Sequence, residues 1–182
     1  MSGGRRLQRV LEVESTTSLL LTDDYSHYSW IEPIWTKDET FGAYKTFAAW
    51  AKTQHGVQIK RLRSDRSGEY TGCKFSAYLQ KQGTEQCLTT HGTPQHNGVA
   101  ESLNHQLFDH VHAMLHQARL PKNLWAEAVQ FTVWLKNRTS TKAIGNVTPY
   151  EQLHNEVPNL GGVPEWGQHV WVYNVTGSKL DA

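Results

Sequence analysis

Cysteine is scarce in this chain: Cys73 and Cys87 are the only two in 182 residues. They form no CxxC pair and stand at no metal-binding spacing from histidine, which argues against a disulfide framework or structural zinc site and fits a reducing compartment. No run of about eighteen apolar residues occurs, and MSGGRRLQRVLEVE lacks the apolar core of a secretory leader, so a soluble, non-secreted protein without a membrane span is expected. Aspartate is missing from residues 1–22, and lysine and arginine are missing from residues 82–118. Positive charge gathers instead at Lys60, Arg61, Arg63 and Arg66, and the formal net charge of +1 argues neither for nor against a nucleic-acid partner.

The length suits one domain with a tail, long enough to bury a sizeable core. Arg9 to Glu14 alternates apolar and polar residues, Ser18 to Thr22 is Leu-rich, and Ser15 to Thr17 can turn one back on the other; this reads as an antiparallel hairpin. Tyr28 to Trp35 supplies a third strand, after a turn around Asp24 to His27. From Lys37 to Gln54 the period becomes helical, with Phe41, Tyr44, Ala48 and Ala51 on one face, Asp38 as cap and Gly56 as stop.

Val57, Ile59 and Leu62 predict a short parallel strand that delivers Asp65 at its C-terminal end, where open α/β sheets place ligands. A helix over Lys74 to Gln82 and a strand over Glu85 to Thr89 follow, then loop chemistry from Thr90 to Asn97. Two helices come next. One carries the stripe Leu103, Leu107, Val111, Met114 or Leu115, and Ala118; the other, from Pro121 to Lys136, is expected to turn Leu124, Ala128, Phe131 and Leu135 inward. Trp30, Trp50, Trp125 and Trp134 sit at core-compatible spacing. Beyond Thr139, repeated Gly and Pro predict an irregular tail, with a further strand at Trp171 to Val175, and the chain divides into a core at 1–138 and an extension at 139–182.

Two stretches bear on chemistry, LRSDRSGEY at Leu62 to Tyr70 and TPQHNGVAESLN at Thr93 to Asn104. Asp65 and Glu101 have 35 residues between them. These words resemble the second and third acids of the Asp, Asp, Glu triad of retroviral-type integrase catalytic cores, in the copia-type retrotransposon branch. LLLTDDYSHYSW, LPKNLWAEAV and TPYEQL resemble further segments of that family. The resemblance implies an α/β, ribonuclease H-like mixed five-stranded sheet flanked by helices, in the order βββαβαβαα. It further implies metal-dependent polynucleotidyl transfer, with Asp65 and Glu101 holding Mg²⁺ or Mn²⁺, DNA or RNA as partner, a homodimer, and residence in the nucleus or cytoplasm.

Counting back from Asp23 by the family's spacing lands on Ser2, which is no acid. Glu12 or Glu14 can stand in only if the first hairpin is shortened, and Glu12 is the candidate taken here. Arg66, Gln95, Asn97, Asn104 and His105 are the candidate nucleic-acid contacts, through phosphate or base edges. Arg66 replaces the family's Asn after the aspartate. The family's basic residues after the glutamate are Ser102, Leu103 and His105 here, which weakens phosphate binding. His91, His96, His105, His110, His112 and His116 can restore that charge near pH 6. A non-catalytic or domesticated nucleic-acid-binding remnant is the alternative reading, and a ribonuclease H-like hydrolase a third.

Overall fold

The computed structural model describes residues 9–15, 18–88 and 94–170, and side-chain surroundings over 18–88 and 102–170. Five strands, β1 (Arg9–Ser15), β2 (Ser18–Asp23), β3 (Ser29–Pro33), β4 (Ile59–Ser64) and β5 (Glu85–Leu88), form one sheet in the order β3-β2-β1-β4-β5. β1 pairs antiparallel with β2, which pairs antiparallel with β3, whereas β1 with β4 and β4 with β5 are parallel. β1 is thus central. Parallel neighbours require crossovers, and helices supply them.

The β2 to β3 turn is held by its own residues. Ser26 donates from its backbone N (3.0 Å) and its Oγ (2.6 Å) to Asp23 Oδ2, and His27 takes the left-handed conformation at φ 55°. A 3₁₀ turn at Lys37–Glu39 leads into α1 (Thr40–His55). Glu39, not Asp38 as expected, occupies the N-cap position, and its carboxylate accepts from Trp35 N and Thr36 Oγ ahead of the helix rather than from a helical N–H. The exit is at Gly56, whose φ of 60° a Cβ would strain.

After β4 comes a single turn, α2 (Gly68–Thr71), absent from the expected order, and then α3 (Cys73–Gln82). Leu19, Leu21, Leu62, Tyr44, Tyr70, Phe75 and Leu79 form the core between the sheet and α1 to α3. Desolvation in that core pushes the Tyr44 hydroxyl well above its ordinary pKa.

The opposite sheet face carries α4 (Pro94–Gln117) and α5 (Trp125–Asn137). Leu107 of α4 and Val133 of α5 close on Leu20 of β2, and α4 also lies against β1. The expected loop from Thr90 to Asn97 is corrected here, because helix begins at Pro94, a residue suited to a first helical position since its missing N–H has no intrahelical partner to lose. The buried stripe of α5 is the expected one only in part. Ala128, Val129, Thr132, Val133 and Asn137 are buried, whereas Leu135 is 36% exposed and Phe131 stacks on Trp134 at the rim. Trp50, assigned to the core by spacing, is 40% exposed.

Asn137 ties α5 to β3. It accepts from Ser29 N (2.8 Å) and donates to Ser29 O (2.7 Å), while the Lys136 ammonium donates to Ser29 Oγ and His27 O. Burial lowers the Lys136 pKa to about 8.

The tail is less irregular than expected. Thr148 caps α6 (Pro149–His154) by accepting from Glu151 N. Trp166 packs against Phe131, and Gly167 lies so close to Ala118 that a Cβ would come within 2.5 Å of its Cβ. The strand expected at Trp171 to Val175 lies outside the described residues.

Candidate active site

Asp65 is the first residue past β4, so a central parallel strand delivers it to the carboxyl edge of the sheet. Its carboxylate is half-buried, and Oδ1 accepts from Ser67 N (3.1 Å) and Ser67 Oγ (2.7 Å). This local turn explains why Ser67 can stand in the word Asp65-Arg66-Ser67: a short hydroxyl two residues on bonds the aspartate and holds its orientation. No described residue donates to Oδ2. Arg66 is exposed beside it, and Glu69, one turn further, makes an ion pair with Lys37 at 3.5 Å.

Leu62 belongs to the core under α1 and α3, and β4 ends at Ser64, one residue before Asp65. Glu101 is carried by α4, which lies against β1. The strand that α4 meets, β1, is the parallel neighbour of β4, which leads to Asp65.

Asn104 follows Glu101 by three residues and shares its helical face; Asn104 is half-buried and His105 exposed. Gln95 and Asn97 lie in the opening of α4. Phe108, one further turn along that face, was not singled out from the sequence; it lines an apolar groove of about 1040 Å³ with Ile34, Trp35, Leu115 and Trp125. No acid lines the groove among the described residues. Among the described residues no trio of His, Cys, Asp or Glu is grouped to hold a metal ion.

The carboxylates of Asp65 and Glu101 are hard oxygen donors, as Mg²⁺ and Mn²⁺ require, and neither member of the pair is a soft or nitrogen ligand. Asp65 comes pre-oriented by Ser67 with one oxygen left over. The donor set fits a divalent metal.

Over 117 residues, 64% of this chain, the sequence is 44% identical to the retrovirus-related Pol polyprotein from transposon TNT 1-94 of Nicotiana tabacum. It is homologous to copia-type transposon Pol polyproteins. The Ty1-DR4 Gag-Pol polyprotein of Saccharomyces cerevisiae is 30% identical over 118 residues. The chain spans only 9% and 7% of these two relatives. No family model matches.

Retroviral integrases share the fold. The HTLV-2 integrase catalytic core domain, in a dimeric form complexed with magnesium, superposes with a TM-score of 0.60 at 14% identity, covering 82% of this chain and all of that one. A chain of the simian T-cell lymphotropic virus intasome in complex with PP2A regulatory subunit B56 gamma covers 98% of this chain at TM-score 0.65 and 16% identity; 63% of that chain is matched. The architecture is therefore that of an integrase catalytic core, α/β and ribonuclease H-like.

Proposed function

We propose that this chain is an integrase catalytic core of retrotransposon origin, built for metal-dependent polynucleotidyl transfer on DNA and impaired by the loss of the family's first aspartate. The observation that carries the reading is Asp65, held by Ser67 just past the carboxyl end of the parallel strand β4. These two acids would hold Mg²⁺ or Mn²⁺, which supplies polarisation of the phosphate and a nucleophile at neutral pH when bound. Arg66 and His105, both exposed, meet the phosphate backbone, with Gln95, Asn97 and Asn104 of α4 as further contacts. The core occupies residues 1–138 and the extension 139–182. The working form is a homodimer, and residence is nuclear or cytoplasmic.

Strand joining and nicking on labelled DNA with Mg²⁺ or Mn²⁺ test the reading. Product that requires metal and disappears in Glu101→Gln supports it; a folded wild-type chain without metal-dependent product refutes it.

The absence of aspartate from residues 1–22 favours a second reading, a non-catalytic nucleic-acid-binding remnant of the same fold. It predicts DNA or RNA binding that is unchanged by Glu101→Gln and by chelation of metal.

A further inference from the structure

Lys136, near the end of α5, is half-buried, and its charge is poorly matched by what surrounds it. Among the described residues its side-chain nitrogen meets Ser29 Oγ at 2.8 Å and the backbone oxygen of His27, and no carboxylate. An ammonium has three N–H donors to place, whereas these oxygens take two. The neutral amine, with two N–H groups and a lone pair, fits the same partners with nothing left over. Desolvation works in the same direction and lowers the pKa to about 8.

The same side chain lines a cavity of about 480 Å³ between α4 and α5, a volume within the range of about 300–1,000 Å³ common to small-molecule sites. Leu103, Leu107 and Met114 from α4 and Leu135 from α5 make much of its wall apolar, and no carboxylate lines it among the described residues. His110 is the titratable side chain that shares the lining with Lys136, and it is exposed. The cavity thus joins an amine to an apolar wall and offers no counter-charge to hold that amine protonated.

From this arrangement we infer that Lys136 is a nucleophilic amine that captures aliphatic aldehydes as imines, with the hydrocarbon chain lying in the cavity between α4 and α5. The nitrogen lone pair attacks the carbonyl carbon and the carbonyl π pair moves to oxygen. Two protons then pass from nitrogen to that oxygen, water leaves, and a C=N bond remains, with no oxidant or reductant consumed. A proton taken from water by the imine nitrogen restores one N–H for Ser29 Oγ or His27 O. Near pH 7 about a tenth of an amine with pKa about 8 is unprotonated, against about 0.04% of an ordinary lysine at 10.4. The apolar wall adds selectivity for chain length, about fourfold for each methylene buried.

The test incubates the full 182-residue chain at pH 7 with hexanal or acetaldehyde and cyanoborohydride, which traps imines as secondary amines, and locates the modified lysines by peptide mass spectrometry. With hexanal, Lys136 is expected to react at least about tenfold faster than the exposed Lys122 and Lys142, and to lose that advantage in urea. Hexanal is expected to exceed acetaldehyde at Lys136 by at least about tenfold, and Leu135→Gln, an exposed position on the cavity wall, should shrink that preference while circular dichroism shows the fold intact. Reaction at Lys136 no faster than at Lys122 and Lys142 overturns the proposal. Equal rates for the two aldehydes at Lys136, or an unchanged preference in folded Leu135→Gln, remove the cavity from it and overturn it likewise.

Discussion

Asp23 and Asp65 are bound by the same local chemistry and do different work. Each accepts two hydrogen bonds from a serine a few residues on, N and Oγ of Ser26 in one case and of Ser67 in the other, at nearly equal distances. Asp23 is fully buried at the β2 to β3 turn, beside a corner where Ser29, Lys136 and Asn137 are hydrogen-bonded together. Asp65 is half-buried at the sheet edge and keeps Oδ2 clear of described donors. The contrast teaches that a serine-anchored aspartate is structural or available according to which end of which strand it closes.

The largest expected effect is on the available acid. Asp65→Asn should reduce metal-dependent DNA product more than about 100-fold, beyond the effect typical of outer-shell changes, while changing stability by no more than about 0.5 kcal/mol. Denaturant unfolding beside a nicking assay checks both halves, and a large stability loss would erase the contrast with Asp23. Next is Asn137→Ala, which strips partners from buried N–H and C=O groups of Ser29 and should cost about 2–5 kcal/mol by the same unfolding measurement.

The two serines sharpen the comparison directly. Ser26→Ala removes a buried bond to a carboxylate and should cost about 1.5–3 kcal/mol in urea unfolding without touching metal affinity. Ser67→Ala should leave stability within about 0.5 kcal/mol and weaken Mn²⁺ binding about tenfold, by freeing the orientation of Asp65.

The smallest effect concerns pH. Lys136 has its pKa lowered to about 8 by burial, so between pH 8 and the unfolded value near 10.4 the unfolded chain binds more protons than the native one. Stability should therefore rise with pH across that window, with the burden of the buried ammonium fully present below it. Lys136→Met should flatten the rise in thermal unfolding measured from pH 7.5 to 10.

Much of the fold was legible because it depends on near neighbours. The alternation in Arg9 to Glu14, the breaks at Gly56 and Gly83, and the apolar spacing of Leu107, Val111 and Leu115 each act over one or two turns of chain. Errors arose where a local pattern admitted two answers. α5 carries Leu, Phe, Trp and Val around most of its circumference, so its buried side was selected by β3 and α4, which favour Val129 and Val133 over Leu135. Pro94 and Gly98 read as loop residues, yet proline opens α4 because a first helical residue needs no N–H partner. At the entry to α1, both Asp38 and Glu39 are acids; the one that reaches back to Trp35 N is Glu39.

Taken alone, the sequence determined which acids are present, the serine turns that anchor Asp23 and Asp65, and the likeness to integrase cores, all carried by residues within a few positions of one another. Only the tertiary structure decided that β1 pairs parallel with β4, the strand that delivers Asp65. That choice depends on hydrogen bonds between strands some fifty residues apart, where a shift of one residue changes the face and a shift of two changes the neighbour.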